Sequence, residues 1–461
     1  MNNQSKKMEL LGSASIPKAL LSMGIPTMIG MLVNAFYNLV DAYFVGGLGE
    51  SQMGAISVVY PLGQVVVGLG LLFGNGATSY ISRLLGRGDN ENADKAASTA
   101  LYSSISVGAV IIIISMIFLH PILKLLGATD SILPYAATYA GIYIVSCIFN
   151  VFNVTMNNIV TSEGAAKTTM CALLTGAALN IALDPLFIYV FDLGVAGAAI
   201  ATAISQVVST CVYLTYILRK KSVFHFRVKD CTYSKEIMSE IFKIGIPTLV
   251  FQILTSLSIS LINNAAGNYS DSAIAGMGVV TRLISMGSLS VFGFIKGFQP
   301  IAGYSYGAKK FDRLREAIKT SILWSTVFCV IFGLILALFP AAIVSQFTKG
   351  DTEMIRIGAA SLRANGITIM LFGFYTVYSS LFLALGKGKE GFILGACRQG
   401  ICFIPVILLL PMVWGLNGIL YTQPIADVLS AIITVFMAIP LHKKLNEMQR
   451  QVTVINTDEK N

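Results

Sequence analysis

The sequence predicts an all-α polytopic membrane protein, with twelve transmembrane helices in two pseudo-symmetric six-helix lobes. Three observations carry that expectation. Of 461 residues, 55% are hydrophobic and only 12% charged, about half the charged share of an ordinary soluble domain, and mean hydropathy is +0.74. Apolar segments recur at lengths of roughly 20 residues or more, enough to cross a bilayer core as helices, without the short alternating strands of a barrel. The chain also repeats itself at one offset. Gly24-Ile25-Pro26-Thr27 returns 221 residues later as Gly245-Ile246-Pro247-Thr248, and at the same offset Val58-Val59 meets Val279-Val280 and Asp130 meets Asp351. Gly76, Gly86, Gly194 and Gly197 likewise meet Gly297, Gly307, Gly415 and Gly418.

The spans predicted in order are 19–46, 52–79, 97–119, 133–157, 168–191 and 195–218, then 241–266, 275–301, 318–342, 356–384, 391–412 and 415–440. They divide the chain into an N-terminal segment (1–18), a first lobe (19–218), a basic connector (219–240), a second lobe (241–440) and a C-terminal tail (441–461). Twenty-five of the 32 Lys and Arg fall on one side if both termini share it. Only Lys124, Lys349 and Arg356 fall on the other, while Arg282, Lys296, Arg363 and Arg398 lie within spans. That imbalance predicts a multi-pass protein of the plasma (cytoplasmic) membrane with both termini in the cytoplasm. It also assigns the net charge of +9 to topology rather than to nucleic acid. Six spans per lobe leave both lobes in the same orientation, an arrangement that places a substrate path between the repeats.

Seven scattered cysteines without a CxxC pair give neither a disulfide framework nor a metal site. No G-x-x-x-x-G-K-[ST] motif is present, so nucleotide hydrolysis is not the expected energy source. His120, His225 and His442 sit at span ends or in loops and form no cluster with acids. An enzyme is therefore not expected, and no cofactor is.

Ionisable groups inside a membrane are costly and point to function. Asp41 lies in the stretch NAFYNLVDAYFVGG, where Asn34, Asn38 and Asp41 share one helical face and Tyr37 lies one turn before the acid. Asp184 lies in LNIALDPLFIYV with Asn180 one turn before it. Pro185 cannot donate to the carbonyl of Ile181, which adds another oxygen acceptor. Asp41, Asp184 and Thr202 fall at similar depths by helical rise. One layer of the first lobe thus offers Asp41, Asn180, Asp184 and Thr202 to a small cation such as Na⁺, or to H⁺. At offset 221 those positions become Ile262, Ile401, Pro405 and Gln423, so the ion chemistry is expected in the first lobe alone. Asn34, Tyr37, Asn38, Asn153 and Asn157 are candidates for an outer shell. Arg398 and Asp427 are expected to form a structural ion pair, and Glu163, near a span end, to be solvated.

With those residues in place, the chain resembles the multidrug and toxic compound extrusion (MATE) family over about residues 15–445. RLLGRGD (83–89), Asp192–Thr202, Arg398-Gln399 and Gln423-Pro-Ile-Ala-Asp427 are similar to its bacterial MepA-like and DinF-like branch. The resemblance implies essential acids in the first lobe, matching Asp41 and Asp184, with Asn180 and Thr202 at cation-site positions. Other branches place acids on spans 7 and 10, where this chain has Asn263, Asn264 and Asn365. The implied function is antiport. Amphipathic, often cationic, drugs leave by alternating access as Na⁺ or H⁺ enters, which confers antibiotic resistance, and the implied form is a monomer in the lipid bilayer. The alternative is a lipid-linked oligosaccharide flippase of the related superfamily, whose cavity would need cations such as Arg282, Lys296, Arg363 and Arg398.

Overall fold

The computed structural model describes residues 3–348 and 351–458. Of the basic residues sorted above, Lys349 and Lys460 lie outside these ranges. The described residues form helices and no strands, and twelve helices are long and apolar enough to cross a membrane. A short helix, α1 (Asn3–Gly12), comes first. The first half then comprises α2 (Ile16–Gly46), α3 (Glu50–Arg87), α4 (Asn90–Ile117), α5 (Leu119–Leu125), α6 (Leu133–Ser162), α7 (Ala166–Pro185) and α8 (Gly194–Leu218). The second comprises α9 (Lys235–Gly267), α10 (Asp271–Gly307), α11 (Phe311–Leu338), α12 (Pro340–Ser345) and α13 (Thr352–Thr368), followed by α14 (Phe372–Ala384), α15 (Gly388–Ala396), α16 (Phe403–Trp414) and α17 (Leu416–Asp458).

Several helices outrun their predicted spans; α3 reaches Arg87, α10 reaches Gly307 and α17 reaches Asp458. Hydropathy marks where a helix crosses lipid, whereas the helix itself continues wherever its backbone is paired and one face is packed. Several predicted spans are interrupted. A 3₁₀ turn (Ile369–Leu371) joins α13 to α14, and a π-helical turn (Cys397–Ile401) follows α15. The π turn precedes Pro405, which cannot donate to the Ile401 carbonyl. Pro185 acts similarly, since α7 passes into a π-helical turn (Leu186–Val190) directly after it.

The halves meet mainly through α2 and α3 of the first against α9 and α10 of the second. The joint is symmetric. Ile16 and Leu20 share a buried cluster with Phe294, Phe298 and Ile301 of the second half. Their repeat equivalents, Ile237 and Ile241, share one with Leu72, Phe73 and Ala77 of the first. The repeated threonines work across the same joint. Thr27 Oγ1 donates to the Gly293 carbonyl at 2.6 Å, and Thr248 Oγ1 accepts from Asn75 Nδ2 at 2.8 Å. These contacts cluster toward the end of the bundle that holds α1, so the halves are closed there.

The helix α1 corrects one expectation. Glu163 is fully buried. It pairs with Lys7 Nζ at 3.2 Å and accepts from Tyr216, from Ser222 Oγ at 3.0 Å and from the Val223 amide at 2.6 Å. A carboxylate at a span end loses its water once a separate helix folds over it. On the other side, the last carbonyls of α1 have no helical donor, and α11 supplies donors. Arg313 bonds the Leu10, Leu11 and Ala14 carbonyls, and Lys310 bonds that of Gly12 at 2.8 Å.

Candidate functional site

In the first half, α7 brings Asn180 and Asp184 to one face, and α8 brings Thr202 beside them. Asn180 Nδ2 donates to Asp184 Oδ1 at 3.3 Å and to Thr202 Oγ1 at 3.5 Å. The Asp41 carboxyl of α2 lies within hydrogen-bonding reach of that of Asp184. Asp184 is fully buried. Three oxygens of this group have no hydrogen-bond partner among the described residues: Asp41 Oδ1, Asn180 Oδ1 and Asp184 Oδ2. Buried acceptors left unpaired are costly, and a small cation or a shared proton would satisfy them. All four residues singled out from the sequence are thus brought together.

Four of the five outer-shell candidates are not. Asn38 Nδ2 bonds the Asn34 carbonyl at 2.7 Å, and both side chains are exposed. Asn153 bonds the Gln206 amide and accepts from Thr210, and Asn157 donates to Tyr213. Their periodicity placed them on one face of α6, but that face meets α8, so neither belongs to the acid cluster. Tyr37 does border it, close enough to Asp41 and Asp184 to feel both charges. Tyr139 is a neighbour of Asp41 that the sequence reading missed. Its one signal is Tyr143 four residues on, with which it stacks at 5.6 Å.

A separate cavity of about 540 Å³ lies between the halves. Met31, Tyr60, Leu71, Asn75 and Asn158 come from the first half and the rest of its wall from the second. None of Asp41, Asn180, Asp184 and Thr202 lines it. Lys296 and Arg398 do, whereas Arg282 and Arg363 do not and are exposed. Arg398 Nε pairs with Asp427 Oδ1 at 2.8 Å, and its guanidinium sits 4.5 Å from the centre of the Phe372 ring. Asp427 also accepts from Gln423 at 2.9 Å and from Thr368 at 3.5 Å.

The MatE family model matches this chain twice, over residues 26–186 and 247–409, with starts 221 residues apart. The chain belongs to the MatE family. Two relatives agree with it over nearly the whole length. The multidrug export protein MepA of Staphylococcus aureus is 31% identical over 429 residues, covering 93% of this chain and 94% of MepA. MepA of Staphylococcus saprophyticus is 30% identical over 433 residues, covering 94% and 95%. Among solved structures, a multidrug resistance MATE family transporter in the outward-facing conformation superposes with a TM-score of 0.90 at 26% identity, covering 96% of this chain and 99% of that one. The repeat read from the sequence is therefore the MatE repeat, one copy in each half.

Proposed function

We propose that this MatE protein is a transporter, not an enzyme, and that it exports amphipathic organic drugs in exchange for Na⁺ or H⁺. The observation that carries the reading is the cluster of unpartnered oxygens on Asp41, Asn180 and Asp184, set apart from a cavity large enough for a drug. Ion and drug would then occupy different places in one rocking structure, an arrangement that alternating access allows. Kinship with the MepA export proteins supports the drug as cargo. Asp41 and Asp184 would hold the entering ion, with Asn180 and Thr202 completing its shell. Of this chain's own groups, Asn180 orients the Asp184 carboxyl, and burial keeps water from competing for it.

The excess of Lys and Arg on the side of the termini places that side in the cytoplasm. The halves are joined at that end, so this arrangement opens outward. A flippase reading is weaker, because two of its four cations, Arg282 and Arg363, do not reach the cavity. The decisive experiment is dye efflux from vesicles under separately imposed Na⁺ and pH gradients. Export driven by one or both supports antiport, and export indifferent to both overturns it.

A further inference from the structure

The cavity has a polarity of its own. Its described wall contains no Asp or Glu, and its two charged residues are Lys296 and Arg398. Arg398 is balanced by Asp427, so that pair adds no net charge. Lys296 is not balanced: its Nζ donates to Asn157 Oδ1, a neutral amide, and among the described residues no carboxylate lies within ion-pair distance of it. The uncompensated charge of the cavity therefore belongs to Lys296.

Its surroundings reinforce this. Ser288, Phe292, Lys296 and Gln299 follow one another along one face of α10, and all four line the cavity. Gln299 is only 5% exposed, yet its Nε2 has no acceptor in the protein, and the same holds for Ser288 Oγ at 6%. A buried donor without an acceptor is costly. Here an amide donor stands less than one helical turn beyond an ammonium with two further N–H groups. Beside them is an aromatic wall, with Phe292 edge-on to Phe251 at 6.0 Å and to Phe372 at 5.3 Å. We infer that the cavity binds aromatic amphiphiles through a carboxylate, held by Lys296 and Gln299, whatever cationic group the compound also bears. The inference rests on the transport reading above and narrows its cargo.

Rhodamine B, which carries a free carboxylate, and its ethyl ester, which does not, share one aromatic body and one cationic charge. Their binding to the purified full-length protein is measured by fluorescence anisotropy, and their export in vesicles beside it. The acid should bind about tenfold more tightly than the ester, as a charge-assisted hydrogen bond allows. Lys296→Met should remove that advantage while leaving ester binding within about twofold, and Gln299→Met should reduce it. A lysine that merely ties the halves through Asn157 would instead weaken both dyes alike. Equal binding of acid and ester, or an acid preference that survives Lys296→Met, overturns the inference. If the ester is bound and exported with no advantage for the acid, the anion site falls and the transport reading stands. If neither dye binds or moves, both fall.

Discussion

Gly86 and Gly307 make one contact twice. A Cβ on Gly86 would overlap the Tyr304 carbonyl oxygen, and a Cβ on Gly307 would overlap the Arg83 carbonyl oxygen. Tyr304 and Arg83 are themselves separated by the repeat offset, so α3 and α10 cross on the pseudo-symmetry axis. In lipid, apolar contact alone gives little preference for one helix over another, and small residues that let backbones approach decide the pairing.

Either Gly86→Val or Gly307→Val should therefore drive the halves apart at the closed end. Overpacking typically costs about 1–3 kcal/mol, and here backbone rather than a side chain must yield. Thermal unfolding in detergent should show similar losses for the two single variants. The double variant should lose less than their sum, because both wedge one joint. A wild-type melting temperature in either single variant would contradict the crossing.

The acid cluster makes a sharper prediction. Asp41→Asn or Asp184→Asn removes a charge from the group with three unpartnered oxygens. Each should abolish gradient-driven dye efflux while leaving the amount of protein in the membrane unchanged. Normal efflux from either variant would remove that residue from the coupling site.

Thr202 and Gln423 occupy equivalent places in the two halves but face different chemistry. Thr202 Oγ1 meets Asn180, whereas Gln423 Nε2 bonds Asp427, itself paired to Arg398. If the proposed site holds, protons and Na⁺ compete for the Asp41–Asp184 pair, and calorimetry should show Na⁺ affinity falling as pH drops. Thr202→Val should weaken Na⁺ binding by about 1 kcal/mol, the usual worth of one such interaction, and Gln423→Ala should leave it unchanged. Equal effects in the two variants would place the ion elsewhere.

How far the sequence could be read depended on the kind of signal. Asp41 and Asp184 stood out because acids in apolar segments are costly and so are rarely idle. Asn180 followed from helical spacing and Thr202 from depth. Asn153 and Asn157 could be read only as a polar face, because periodicity identifies a face and not the helix opposite it. Their partners Gln206, Thr210 and Tyr213 come from α8, more than fifty residues along. Lys296 was visible only as a charge within a span. Its isolation from carboxylates, and the open donor on Gln299, arise from packing between the halves.

Glu163 was misjudged for the same reason, and its pairing is testable. Breaking a buried ion pair by removing one partner costs about 3–5 kcal/mol. Lys7→Met or Glu163→Gln should therefore destabilise the protein more than the double variant does relative to either. Burial also pulls the Lys7 ammonium below the ordinary lysine range, against the opposing pull of Glu163. Between that lowered value and 10.5 the unfolded chain binds more protons than the folded one, so this group's contribution to stability rises with pH there. Denaturant titrations across alkaline pH should show the rise in wild type and a flatter profile in Lys7→Met. An unchanged slope would argue against the buried ammonium.

The docking of α1 also has a consequence for biosynthesis. Its partners emerge from the ribosome long after it does: Glu163 is 156 residues downstream of Lys7, and Arg313 is 302 residues downstream of Leu11. Domains are generally built as the chain is made, beginning at the N-terminus, yet α1, which precedes both halves in the chain, is among the last helices that can settle fully. Its ion pair becomes available once Glu163 has been made, but the donors for its terminal carbonyls arrive only with Lys310 and Arg313 at the start of α11. The docking of α1 is therefore completed in two stages, and its second stage reports that the second half has arrived.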